Sequence, residues 1–426
     1  SIAFNNSSLS SWIAQGNKEQ ITRTWYDYSL DSLSVDGFEQ ENLRGRVTTM
    51  AYFDYESESY QHAVHYSYDI HGNVKILDRE NSTLAFVQQD HKLIEYDYDL
   101  VSGNVNYVYY QKGKDDQFTH NYLYDADNRL TNVFTSADMV HWDEDAAYYY
   151  YLHGPLGRVE LGGLKVQGID YAYTLHGWLK GVNSNNLHQH RDIGQDGHQG
   201  SINSNVARDV FGFSLHYYND DYKPISGAHT SSKSDYFLME EPATAGFNNQ
   251  VTDLFNGNIS RMVTALDKLS NTVVGKAYEY DQLNRISKSF TFTNYSITTN
   301  KWLSGGPNAD FYSDYTYDAN GNLLTLNRNA GSGVAMDSLS YYYIPGSNQL
   351  SSVKDQVAAG LFSHDIDDQN NGNYSYDKIG NLISDEAEEI IDIQWTVYGK
   401  IKSITRLGSS LPSNIGKRVT YTNLIG

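Results

Sequence analysis

The 426-residue sequence predicts an all-β fold, a long antiparallel sheet of stacked hairpins, and three observations carry that expectation. Tyr occurs 37 times and outnumbers Phe (15) and Trp (6) together, and aromatic residues favour strands. Pro falls to 6 while Gly stands at 34, the balance of a sheet turned by glycine. One short pattern recurs along the chain: an aromatic, any residue, Tyr, Asp, two residues, then Gly or Asn. Internal repetition of this kind marks stacked supersecondary units.

Residues 1–60 carry Trp25, Tyr26 and Tyr28 and read as divergent strands. Residues 61–182 hold the first clear copies. These are Tyr66-Ser67-Tyr68-Asp69 leading to Gly72, Tyr96-Asp97-Tyr98-Asp99 with one extra residue before Gly103, and Tyr122-Leu123-Tyr124-Asp125 leading to Asn128-Arg129. Degenerate copies follow at Tyr149-Tyr150-Tyr151 and Tyr171-Ala172-Tyr173. Counted at the second aromatic, the steps are 30, 26, 27 and 22 residues. Residues 183–275 interrupt the series. Alternating Phe211, Phe213 and Leu215 predict a strand there, Leu254 to Ile259 a turn between strands, and the remainder loops with room for a short helix. Residues 276–426 resume it, with Tyr278-Glu279-Tyr280-Asp281 leading to Asn284-Arg285, Tyr315-Thr316-Tyr317-Asp318 leading to Gly321, and Tyr374-Ser375-Tyr376-Asp377 leading to Gly380; Trp395 opens a last, degenerate copy.

Each copy has a physical reading. Two Tyr residues spaced i and i+2 lie on one face of a strand. The Asp that follows accepts a backbone N–H two residues on and starts a turn. Gly, or Asn in its place, tolerates positive φ, and the next aliphatic residue opens the return strand. Asn320-Gly321 between alternating segments is the strongest hairpin signal. Hairpins side by side bring their Tyr residues together as cross-strand neighbours.

The pattern resembles the YD repeat of the RHS family, which includes bacterial RHS proteins, the cocoon-forming component of insecticidal toxin complexes, and teneurins. The resemblance covers roughly residues 60 to 426. It implies a long antiparallel sheet of YD-repeat hairpins that spirals into a partial or complete hollow shell, and it gives the repeat residues named above a scaffold role. In that family the shell commonly encloses a C-terminal effector. The Asp-Pro-x-Gly core motif that closes the shell and, in many members, directs self-cleavage does not occur. The chain is therefore expected to be a segment upstream of such a core, continuing beyond Gly426. The run from Asn183 through Phe211-Gly212-Phe213 is similar to a variant common in Bacteroidota, which implies a secreted or cell-surface protein exported by the type IX route.

Charge and composition exclude several classes. Thirty-one basic against 52 acidic residues give a net charge of −21, a poor match for nucleic acid or anionic lipid. With no Cys, there is no disulfide, thiolate nucleophile or zinc–thiolate site. No apolar run approaches the ~18 residues of a membrane helix, so membrane insertion is not expected. His188, His190 and His198 with Asp192 and Asp196 carry ligating side chains, but their Gly/Asn/Gln-rich stretch reads as a solvated loop without the rigid support ligands need. An EF-hand registered on Gly372 would start at Asp367 and place Lys378 where a Glu is required. Asp365, Asp367 and Asp368 leave an irregular calcium loop as the minority reading. Asp69, Asp125 and Asp318 recur at one repeat position, which is turn chemistry rather than catalysis. No His-Glu-x-x-His, phosphate-binding loop or Gly-x-Ser-x-Gly occurs.

The expectation is thus a non-enzyme without cofactor or metal: a β-shell scaffold whose partners are its own C-terminal effector, other protein subunits or secretion machinery. A second reading is an adhesin-like module binding polysaccharide or another cell through aromatic strands. There the structural role of the Tyr rings, packing the sheet face, competes with stacking on sugar.

Overall fold

A computed structural model describes residues 18–420 apart from 30–34, 57–58, 189–190, 223–245, 248–249, 269–272, 298, 300, 304–306, 363–364, 397 and 408–417. It contains two compact units, Ser1–Tyr148 with Leu161–Gly163, and Tyr149–Glu160 with Leu164–Gly426. Among the described residues the one helix is a 3-10 segment, Ser82–Val87; elsewhere regular structure is strand. The expected strand at 211–215 runs Phe211–His216, and no helix occurs among the described residues of 183–275.

In the first unit, strands follow one another as a meander. Glu19–Tyr26, Val47–Tyr55, His62–Tyr68, Val74–Asn81, His91–Tyr98, Val105–Tyr110, Phe118–Tyr124, Leu130–Ser136 and Asp143–Tyr150 each pair antiparallel with the next. Burial alternates along His62–Tyr68, the period of a sheet with two unlike faces. The apolar core is thin: Ala51, Phe53 and Ala63, with Ile21, Trp25 and Tyr60 packed on them.

In the second unit the same meander runs from Gln167–Tyr173 to Leu350–Asp355. A five-stranded sheet of Tyr374–Tyr376, Leu382–Asp385, Ile390–Trp395, Ile401–Arg406 and Arg418–Thr420 follows. The main apolar core of the second unit lies on its meander and gathers Phe247, Val263, Ala265, Val273, Ala277, Phe292 and Trp302. Trp302 is delivered by a two-residue hairpin, Tyr295–Ser296 with Lys301–Trp302. Gly275 makes room for it, since a Cβ there would sit 2.6 Å from the indole and 2.7 Å from Phe247. In both units many buried side chains are polar, so polar satisfaction rather than apolar area alone has to hold the strands together.

Candidate functional site

The repeat turns share one geometry. Asp69 N–H donates to the Asn73 carbonyl at 2.9 Å, and Gly72 N–H returns to the Asp69 carbonyl at 3.2 Å. Gly72 has φ +99°, and the register shifts between Ser67 and Tyr68. This is a three-residue loop, a tight turn closed by a glycine bulge. The same backbone pair recurs at Asp125, Asp281, Asp318 and Asp377. Gly321 and Gly380 have φ +91° and +97°, and Asn128 and Asn284 hold the equivalent place at +60° and +63°. Of the Asn320-Gly321 pair only the glycine takes a positive φ, so the turn is the bulged kind. At Asp99 the loop is one residue longer and Gly103 carries the positive φ of +75°.

Within each turn the carboxylate is a hub. Asp69 Oδ1 accepts from the N–H groups of His71, Gly72 and Asn73 at 2.8, 2.7 and 2.9 Å, and Oδ2 accepts from the Asn73 amide. Asp318 and Asp377 repeat this with Asn322 and Asn381. Asp125 and Asp281 take the Arg129 and Arg285 guanidinium instead, at 2.8 and 2.6 Å. The Arg129 backbone N–H and then its guanidinium hold Asp125 below the ordinary carboxylate range. Asp99, fed by the Ser102 N–H and hydroxyl, is lowered likewise. In degenerate copies Thr stands in: Thr174 and Thr396 hydroxyls accept from the Trp178 and Lys400 N–H groups.

The paired Tyr rings stack along their own strand, Tyr66 on Tyr68 at 6.4 Å and Tyr96 on Tyr98 at 6.2 Å. What crosses between repeats is a hydrogen bond that the sequence reading missed. The second Tyr donates its hydroxyl to the carbonyl of the residue opening the previous return strand. Tyr68 reaches Val47 at 2.7 Å, Tyr98 reaches Val74 at 2.9 Å, and Tyr124 reaches Val105 at 2.9 Å. In the second unit Tyr217 reaches Leu179, Tyr280 reaches Ile259, Tyr317 reaches Ile286, Tyr343 reaches Leu323 and Tyr376 reaches Leu350, all within 2.8–2.9 Å. Trp395 makes the same bond through its indole N–H to Leu382 at 2.7 Å. Two signals were present in the sequence. The second position of every clear copy is Tyr, where Phe would pack as well, and Tyr341-Tyr342-Tyr343 before Gly346 is a further copy whose Asp is replaced by Ile344. Side-chain amides add a second lateral link at the turn tips, Asn104 to Asn128, Asn256 and Asn258 to Asn284, and Asn322 to Asn348.

One aromatic pair outside the repeat positions has its ring faces covered. Tyr107 and Tyr109 stack on each other at 5.6 Å and 11°, Trp142 packs on Tyr107, and Lys112 covers Tyr109.

The interrupted stretch departs from the sequence reading. The solvated loop expected around Asp192 and Asp196 is instead packed in: the two residues are 5% and 3% exposed. The reason is Arg158, which lies between Asp170 at 2.5 Å and Asp196 at 2.7 Å and also holds Glu160 at 3.0 Å. Gly168 and Gly194 admit this cluster, since a Cβ on either would fall 2.1–2.3 Å from its charged atoms. Burial raises Asp170 to about 7 against the pull of Arg158. Nearby, Lys180 pairs with Asp221 at 2.7 Å, and burial lowers its ammonium to about 8. His188 and His198 are described and His190 lies outside the described residues. Among the described residues the one group of three carboxylates close enough to share an ion is Asp337, Asp355 and Asp365. Asp337 is already paired with Arg328, and Asp367 and Asp368 do not join the group.

A buried relay in the first unit has the look of nucleophile, base and acid: Thr49 Oγ1 to His65 Nδ1 at 2.9 Å, and His65 Nε2 to Glu80 at 3.1 Å. Thr49 and His65 are both 0% exposed, so no substrate reaches the hydroxyl.

No family model matches the sequence, and no curated protein matches it. Among solved structures the chain is similar to TcdB2-TccC3 without its hypervariable C-terminal region, at 13% identity and a TM-score of 0.48, covering 88% of this chain and 17% of that one. It is also similar to the Photorhabdus luminescens Tc holotoxin pore, at 11% identity and a TM-score of 0.22, covering 96% and 28%. The chain thus spans under a third of the length of either structure.

Proposed function

We propose that the chain is a non-catalytic scaffold, part of a YD-repeat shell of the RHS kind that encloses or displays an effector or partner domain and works outside the cytoplasm, secreted or at the cell surface. The observation that carries this reading is the repeated bond from the second Tyr to the preceding return strand. It joins every clear copy to the strand before it by the same contact, which is how a sheet grows by identical steps; the degenerate copy at Tyr151 donates forward to the Tyr171 carbonyl instead. The recurring carboxylates are consumed by their own turns and are not available for acid–base work. At Tyr107 and Tyr109 the ring faces are consumed by each other, Trp142 and Lys112, so this pair is not a sugar platform. Small-angle scattering on the purified chain tests the scaffold: a curved sheet wall gives a larger radius of gyration than a solid domain of 426 residues, about 22 Å on compact-domain scaling. A value at the compact limit, or specific glycan binding on an array, argues against it.

A further inference from the structure

The Arg158 cluster leaves an electrostatic residue that the scaffold reading does not use. Asp192 and Asp209 both come from the first third of the interrupted stretch, line the same cavity and interact through their side chains. Asp192 Oδ1 and Asp209 Oδ2 are both buried, and neither has any donor among the described residues. Asp192 Oδ2 is occupied, accepting the Asp196 N–H at 2.7 Å. Asp209 also accepts from the Gln167 amide through Oδ1. Two carboxylates brought together where water is scarce repel unless one holds a proton, and one shared proton turns the repulsion into a charge-assisted hydrogen bond.

Other charges around the pair do not supply the missing donor. Strand Leu156–Leu161 brings Arg158 and Glu160, and strand Gln167–Tyr173 brings Asp170. Arg158 is spent on Glu160, Asp170 and Asp196, and Lys165 on Glu160. Arg208 and Asp267 join Asp192, Asp196 and Asp209 around a cavity of about 240 Å³, through which solvent protons exchange. The acids outnumber the cations, and burial drives Asp170, Asp196 and Asp209 upward together.

We propose that Asp192 and Asp209 are a proton-sharing carboxyl pair that ties two turns of the interrupted stretch to each other and, through Gln167, to strand Gln167–Tyr173, and that rising pH opens the clasp. The sign follows from the direction of the shift. A carboxyl raised in the folded state contributes stability while it holds its proton, and loses it as pH climbs from the ordinary carboxylate value through the folded one.

Hydrogen exchange on the whole chain from pH 6 to 9.5 tests this. Corrected for intrinsic exchange, protection at the amides of Asp196 and Gly197 is expected to fall at least tenfold. Amides of strand Leu130–Ser136, which carries no titratable side chain, keep theirs. Asp209→Asn places a permanent N–H donor opposite Asp192, so its protection becomes independent of pH; Asp192→Asn does the same from the other side and serves if the first variant fails to fold. Flat protection in the unaltered chain overturns the proposal, as does an equal fall in a folded variant. Protection at pH 9 that requires added calcium and disappears with chelator also overturns it, because a cation and not a proton then joins the carboxylates.

Discussion

The hairpin ladder and the interrupted stretch solve the same problem with opposite chemistry. In the ladder, the links that repeat from turn to turn are neutral or solvent-exposed: a phenol to a carbonyl, an amide to an amide, a carboxylate saturated by the N–H groups of its own turn. In the interrupted stretch, described segments outside the strands are held by ion pairs with a buried partner, Arg158 to Asp196, Lys180 to Asp221 and Arg261 to Asp253. The ladder gains stability in small independent steps. The interrupted stretch concentrates it in a few contacts, each of which costs much when broken, because removal of one partner leaves a desolvated charge.

The difference is sharpest at Arg158. Arg158→Met removes the one guanidinium between Asp170 and Asp196 and leaves both carboxylates buried. A loss of about 3–5 kcal/mol is expected, read by urea denaturation. A loss under about 1 kcal/mol, the worth of an exposed pair, would place the cluster among surface salt bridges and erase the contrast.

In the ladder the largest single effect is at the backbone. Gly321 sits at φ +91° with nothing within 4 Å of the Cβ position, so Gly321→Val tests conformation alone and not space. A β-branched residue forced into that region costs about 1–3 kcal/mol. Unchanged stability would mean that the turn can rearrange, and that the bulge does not fix the register.

The hydroxyl link comes next. Tyr68→Phe keeps the ring against the core and deletes the donor to the Val47 carbonyl; about 1 kcal/mol is expected. Tyr317→Phe, whose bond to Ile286 is exposed, should lose less, because water replaces the donor. If the two variants are equal, the link contributes through strand registry and not through burial of a carbonyl.

The ladder was legible in the sequence because its causes are local. Asp, Gly and the Tyr pair lie within seven residues of one another, and turn chemistry needs nothing from afar. The hydroxyl link was half legible. The preference for Tyr over Phe at Tyr68, Tyr98 and Tyr124 was visible, but its acceptor lies about 20 residues upstream and has no side-chain signature, since any carbonyl serves. The Arg158 cluster was not legible. Its acids are 12 and 38 residues from Arg158 and follow no period, and glycines that admit the cluster look like glycines of any loop. Polar composition around Asp192 therefore pointed to solvent, where the fold supplies a buried partner instead.

The smallest expected effect separates the two regions by sign. In the turns, Asp125, Asp281 and Asp318 are held low: the first two by the N–H of Arg129 and Arg285, the third by the Asn322 amide. A carboxyl lowered in the folded state contributes stability that is complete above the unfolded value near 3.9 and is lost as pH falls through the folded one. The ladder should therefore loosen on the acid side, turn by turn, while the stretch around Asp192 and Asp209 loosens on the alkaline side. Amide exchange at Gly321 and Asn322 between pH 5 and pH 2.5 reads the first, with Thr174 as an internal control, since its hydroxyl fills the same turn position and does not titrate. The amides after Asp318 should lose protection on acidification while those of Gly177 and Trp178 hold. Equal loss in both turns would show that acid acts on the sheet as a whole, and that the carboxylate hubs shape the turns without tuning their stability.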